Sequence, residues 1–188
     1  MSGSTLFDTR ARYGAVTKWL HWLAAIGMIA LMVTGYVFMN LPRGPERGVW
    51  LAWHNASGYL TLILALAHVG WRAVNPLADP TPGAAWENGL ARGVHWMLLG
   101  FLILLPLSGW YVASTGRRPP MVFDWFAVPR IPGASREFHG LSEEIHGLLS
   151  HAFVVVFALH VLGGLKRQFV NRDGTIARMM GLDGASRP

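Results

Sequence analysis

Two histidines, His146 and His160, stand fourteen positions apart in the last apolar stretch of the chain, IHGLLSHAFVVVFALHVLGGL. At about 100° per residue, fourteen helical steps return to within roughly 40° of the same face, about 21 Å further along the axis. An ionisable side chain at the centre of a bilayer costs about 2.5–3.5 kcal/mol or more, so it is rarely there without a partner. Imidazole nitrogen is a common ligand of transition metals. Two such rings on one face, one near each end of a membrane-length helix, point to two buried metal centres stacked across a membrane.

The chain has eight His and no Cys. That excludes disulfides, Cys-ligated iron–sulfur clusters, structural Cys-zinc sites and covalent C-x-x-C-H haem attachment. Any redox cofactor must be held by other ligands, and His is the abundant candidate. Of the 188 residues 52% are hydrophobic and 14% charged, where a soluble domain carries about 25% charged residues. The chain is too short for more than one compact unit, so residues 1–188 read as a single domain. The net charge of +6 forms no basic face or block; the charges sit at the edges of apolar runs, as topology signals do, and nucleic acid is not an expected partner.

Four apolar segments would position the histidines: Ala15–Phe38, Val49–Trp71, Val94–Ala113 and Ile145–Leu165. Each is near the twenty or so residues a helix needs to cross about 30 Å of hydrocarbon. The expected fold is an all-α membrane protein, a four-transmembrane-helix up-down bundle. Arg10, Arg12 and Lys18 before the first segment resemble a signal-peptide basic region, but no small-residue cleavage pattern follows a short apolar core, so it reads as a retained helix. The connections are Met39–Gly48, Arg72–Gly93 and Ser114–Glu144, and no period of 20–50 residues recurs. With four spans, both termini and the middle connection share one side. That side carries ten Lys/Arg, Arg187 of the basic tail among them, against six on the other; the positive-inside bias then puts both termini in the cytoplasm. The outer segment PMVFDWFAVPRIP suits an element at the interface, or an ordinary loop anchored by Trp125.

This topology sorts the histidines by depth. His54 and His146 lie near the outer side; His21, His68, His95 and His160 lie near the cytoplasmic side. A b-type haem needs two axial imidazoles from facing helices at one height. On the outer side His54 and His146 are the pair available. On the cytoplasmic side His68 with His160 and His21 with His160 both satisfy the geometry, since His54 and His68 are also fourteen apart. His151 is offset from both haem ligands on its helix, which favours a helix–helix hydrogen bond. His139 reads as a solvated loop residue, with a minor role near the outer haem or an outer substrate as the alternative. The competing account of all these rings is polar glue between membrane helices, at about 0.6–2 kcal/mol per hydrogen bond. Gly58, Gly163 and Gly164 would leave room for a porphyrin beside its ligands, or simply for helix packing. Arg72 suits a haem or quinone contact; Arg92, Lys166 and Arg167 read as topology charges.

The runs RYGAVTKWLHWL, WHNASGYL followed by Arg72, HWMLLGFLILLPLSGWY and IHG…ALHVLGG with its basic tail resemble the bacterial cytochrome b561 family, through all four segments. The resemblance implies a four-helix inner-membrane protein enclosing two b haems (iron protoporphyrin IX, non-covalent), with ligands His21, His54, His146 and His160. His95 matches the family's third-span histidine, while His68 departs from its pattern. It further implies electron exchange with the ubiquinone pool and, more sharply, an oxidoreductase activity in which superoxide is oxidised to dioxygen at the outer face. His95 and His68 would then contact the quinone, and Arg43, Arg47, Arg117 and Arg118 would steer the anion. The expected partners are membrane lipid, quinone, and superoxide or a redox protein. The alternatives are a haem b anchor subunit of a hydrogenase- or formate dehydrogenase-type complex, and a non-redox transporter using the histidines as a relay.

Overall fold

Backbone amides in hydrocarbon have no water to satisfy them and must pair within their own segment. The apolar stretches accordingly form long helices. The computed structural model describes residues 5–10, 12–75 and 83–182; Arg187 and part of the middle connection, 76–82, lie outside the described residues. The long helices are α1 (Ala15–Asn40), α2 (Pro45–Val74), α3 (Ala85–Thr115) and α4 (His139–Leu165), and a short α5 (Thr175–Met180) follows. Among the described residues, three stretches are long and apolar enough to cross a membrane: α1, α3 and the continuous helical run Arg136–Val170. α2, expected as a span, has the length at thirty residues but not the apolarity. Its polar residues explain this. His54, Thr61 and His68 recur every seven positions on one stripe, and Thr61 is only 1% exposed, so the polarity of α2 faces its neighbours.

The helices overrun the apolar segments. α3 begins at Ala85 rather than Val94, and α4 at His139 rather than Ile145, entered through a 3-10 turn at Arg136–Phe138. Hydropathy marks the part suited to lipid, whereas helical hydrogen bonding continues through polar turns. The first turn of α3 carries Glu87 and Asn88. Lys166 pairs with Glu87, while Arg167 donates to Asn88 Oδ1 at 2.8 Å and pairs with Asp173 at 3.2 Å. Two cations read as topology charges therefore also lock the end of α4 to the start of α3.

α1 packs closely on α2, α3 on α4, and α2 on α3, while α4 stands off from α1 and α2. Two helix pairs thus face each other across a slot. Its middle is closed by a core of Ala24, Met28, Ala65, Leu102, Leu105 and Phe153. Large apolar side chains cover the outside; Leu148, for example, is 72% exposed, as a lipid-facing surface requires. At one end, β1 (Met121–Val122) and β2 (Phe126–Ala127) form an antiparallel hairpin. The Arg130 guanidinium holds it down by donating to the Ser114 and Gly116 carbonyls at the end of α3, a favourable place for a cation. The expected interfacial element is therefore a hairpin, with Trp125 79% exposed near its tip. At the other, terminal end, residues 5–10 lie against α2, where the Asp8 amide donates to Asn75 Oδ1 at 3.0 Å. α5 sits below α1, with Trp22 Nε1 donating to the Met179 carbonyl at 3.3 Å.

α1 and α2 approach most closely where Gly27 meets Thr61. A Cβ on Gly27 would lie 2.7 Å from Thr61 Oγ1 but 3.6 Å from Thr61 Cβ. Gly27→Ala should therefore destabilise the pair by about 1–3 kcal/mol, the usual cost of overpacking. Adding Thr61→Ala removes the clashing atom and should restore most of the loss. Thermal unfolding in detergent of the single and double variants checks this.

Candidate metal centres

The slot brings histidines together at both ends. Near the β-hairpin, His54 of α2 faces His146 of α4, with ring centroids 6.2 Å apart and planes at 77°. Near the termini, His21 of α1 faces His160 of α4 at 6.1 Å and 54°. A metal–imidazole bond is about 2 Å, and the ring centre lies about 1 Å beyond the bonded nitrogen. Two axial imidazoles on one metal are therefore centred about 6 Å apart. Both pairs have the spacing that one intervening metal ion demands. Among the described residues no three His, Cys, Asp or Glu gather into a closed metal cage. Two opposed imidazoles suit a metal whose remaining positions are filled by a macrocycle, so the residues present fit a haem.

Ring contacts without metal can have similar spacing, so the second nitrogen of each ring matters. His54 Nδ1 lies 3.1 Å from the Leu31 carbonyl and 3.2 Å from Thr34 Oγ1. A carbonyl can only accept, so Nδ1 carries the hydrogen and Nε2 keeps its lone pair. His146 Nδ1 lies 2.8 Å from Ser108 Oγ, whose own hydrogen goes to the Leu105 carbonyl at 2.8 Å. Nδ1 of His146 therefore donates as well, and its Nε2 is also free. This is the outer-shell arrangement that orients a metal-binding histidine.

Each of these rings is backed by a glycine. A Cβ on Gly35 would sit 3.1 Å from His54 Cε1, and one on Gly109 would sit 3.2 Å from His146 Cε1. Of the glycines singled out from the sequence, Gly58 packs on α1, where its Cβ would meet Leu31 at 3.7 Å, and Gly163 and Gly164 face open space. A signal for Gly35 and Gly109 is also present in the sequence. HW, twelve residues on, then a hydroxyl, glycine and aromatic occurs at His21–Tyr36 and again at His95–Trp110, displaced by 74 residues. α1 and α3 thus carry matching stripes (His21, Met28, Gly35 and His95, Leu102, Gly109). α2 and α4 carry the corresponding His–x13–His stripes.

At the terminal end the geometry is looser. A cavity of about 130 Å³ is lined by His21, His68, His95 and His160 together with Ala24, Met28 and Phe153. His160 also contacts His95, at 5.1 Å. Among the described residues, His68 makes no ring contact with His160; its ring faces the Leu20 carbonyl without an ordinary hydrogen bond. Arg72, one turn further on, is close enough to His68 to interact with its charge. His95 Nδ1 donates to the Ala91 carbonyl of its own helix at 2.6 Å.

Two expectations need correction. His151 is exposed and donates to the Gly147 carbonyl of its own helix at 2.7 Å. It faces away from the bundle, so it makes no helix–helix hydrogen bond there. His139 is not a free loop residue: it opens α4, is half-buried, and its Nδ1 lies 2.9 Å from Thr115 Oγ1.

Residues 12–182 match the family described as Prokaryotic cytochrome b561. The chain is 32% identical over 185 residues to Cytochrome b561 homolog 2 of Escherichia coli (strain K12), covering 93% of this chain and 94% of that protein. It is 25% identical over 178 residues to Probable superoxide oxidase CybB of Yersinia pestis, covering 90% and 96%. Cytochrome b561 homolog 1 of Escherichia coli (strain K12) is likewise 25% identical over 177 residues, covering 90% and 97%. The match runs through every helix that carries a paired histidine, and the chain belongs to the prokaryotic cytochrome b561 family of helical membrane proteins that bind haem b and transfer electrons.

Proposed function

We propose that the protein is a dihaem membrane cytochrome that passes electrons from superoxide, at the outer face of the bacterial inner membrane, to ubiquinone on the cytoplasmic side. The observation that carries this reading is the recurrence, at both ends of one slot, of opposed imidazoles at the spacing of a single metal. His54 and His146 would hold one haem, and His21 and His160 the other. Bound haem supplies one-electron chemistry, which the chain itself lacks. The chain's part is to orient and exclude. Thr34, the Leu31 carbonyl and Ser108 fix two of the ligand rings, and the core around Phe153 keeps water from the space between the centres. All four long helices, α2 included, would cross the membrane, with the β-hairpin outside and both termini in the cytoplasm.

The net reaction balances as two superoxide ions giving two dioxygen and two electrons, while one quinone takes two electrons and two protons to become quinol. His68 and His95, at the terminal end, would receive the quinone carbonyl and deliver its protons, with Arg72 supplying a fixed positive charge beside them. The superoxide step draws support from the name of the Yersinia pestis relative and from Arg43, Arg47, Arg117 and Arg118 around the β-hairpin end, whose charge would raise the local anion concentration.

Purified protein should show a reduced-minus-oxidised b-type spectrum with two haems per chain. Superoxide alone should reduce them, and added ubiquinone should reoxidise them. A colourless folded preparation, or one haem per chain, would overturn the reading; reduction that needs a soluble partner would favour an anchor subunit. His21→Ala should remove one haem of the two, whereas His68→Ala should retain both and slow quinone reduction. At the other end, Ser108→Ala should weaken haem retention there by about 10–100-fold, the usual cost of losing a ligand's supporting hydrogen bond. Gly109→Val should do so at least as strongly, by pushing His146 aside. Haem titration of each variant reads the loss, with the second haem unchanged.

A further inference from the structure

His139, Ser142 and Thr115 form a polar cluster beyond the His54–His146 pair that the proposed reaction does not use. His139 stands seven residues before His146, on the same stripe of α4 to within roughly 20°, about 10 Å further toward the β-hairpin end. Thr115 likewise stands seven residues after Ser108 on α3. The two contacts are copies of each other: Ser108 holds His146 Nδ1 at 2.8 Å, and Thr115 holds His139 Nδ1 at 2.9 Å. The Thr115 hydroxyl donates to the Val112 carbonyl at 2.8 Å, so it accepts from His139, whose Nδ1 carries the hydrogen. Thr115 is 1% exposed and Ser142 7% exposed, so the cluster is built into the packing of α3 on α4. The ring nitrogen left outside this contact is Nε2, 3.7 Å from Glu143 Oε1.

We propose that His139 is a redox-linked proton site of the outer centre: its Nε2 takes up one proton from the outer aqueous phase for each electron held there. The proton offsets the added negative charge, and Nε2–H then has the Glu143 carboxylate to face. The charged groups around it are few. Glu143 Oε1, on α4 itself, is 3.7 Å from Nε2. The Arg130 guanidinium lies on the carbonyls flanking Thr115, and the exposed Arg136 and Glu137 occupy the preceding turn. The inference rests on the dihaem reading, and its test separates the two.

The experiment is a spectroscopic redox titration of the full-length protein, both haems bound, from about pH 5 to 8, the range in which an imidazole changes charge. Proton uptake on reduction makes the outer potential fall as pH rises, approaching tenfold in the reduction equilibrium per pH unit, or 59 mV for one electron. His139→Gln, which cannot titrate, should flatten that dependence and leave the inner haem's unchanged. Glu143→Gln should shift the dependence along the pH axis without abolishing it. A pH-independent wild-type outer potential, a wild-type slope in His139→Gln, or a slope lost in Glu143→Gln would each overturn the proposal. Should His139→Gln lose its outer haem, Thr115→Val carries the test: by freeing Nδ1–H it must move the onset of the slope, and an unchanged curve would overturn the proposal. A wild-type protein without haem would instead sink the dihaem reading itself.

Discussion

The gap of about 6 Å between opposed imidazoles governs the architecture. A neutral imidazole has one donor and one acceptor nitrogen. At the β-hairpin end the donors are satisfied by Leu31, Thr34 and Ser108, which leaves each ring its Nε2 lone pair as the available ligand atom. A metal ion between the two rings would give both lone pairs a partner. The stand-off of α4 from α1 and α2 is what such an occupant requires.

The rest of the bundle serves that gap. One helix, α4, carries a histidine of each pair, so the separation of the pairs is fixed by helix rise and not by how two helices happen to cross. Phe153 lies seven residues from both His146 and His160, is 3% exposed, stacks with Phe157 and meets Phe101 edge-on. It fills the slot at mid-height, where a void would admit water between the centres. Elsewhere side chains are kept small so that helices can close: Gly27 against Thr61, Gly35 behind His54, Gly109 behind His146. The repetition of these features between α1/α2 and α3/α4 gives the site an approximate two-fold character, with His54 and His146 in corresponding roles.

The number, class and order of the long helices could be read from the sequence, because lipid tolerates few alternatives. So could the juxtaposition of His54 and His146, since position along the spans left two candidates. Helix ends could not: Glu87 and Asn88 are polar, and nothing local says that Lys166 and Arg167 will come from 79 residues away to satisfy them. Gly35 and Gly109 are hard to single out for a related reason: the residues that crowd a ring come from the neighbouring helix, which periodicity within one helix does not reveal. Mean hydropathy over α2 is lowered by polar residues such as Thr61, which is 1% exposed and faces the bundle. His139 was assigned to a loop because hydropathy falls before Ile145, whereas Ser135, accepting from the Glu137 amide at 3.4 Å, already starts a helical turn.

The two ends of the slot differ in a way that bears on direction. At the β-hairpin end both rings are locked through Nδ1 and each is backed by a glycine. In the proposed reading, a donor at that centre would exchange an electron without entering. A small anion giving up one electron asks no more than this. At the terminal end, His21 and His160 form no hydrogen bond among the described residues, and two further histidines border the same cavity. Reducing a quinone needs a place to hold a ring and groups to hand it two protons, so it needs polar side chains beyond the ligands. The surplus imidazoles, with Arg72 beside them, lie at that end. The asymmetry of the side chains therefore matches an outer one-electron donor and an inner two-electron, two-proton acceptor better than the reverse.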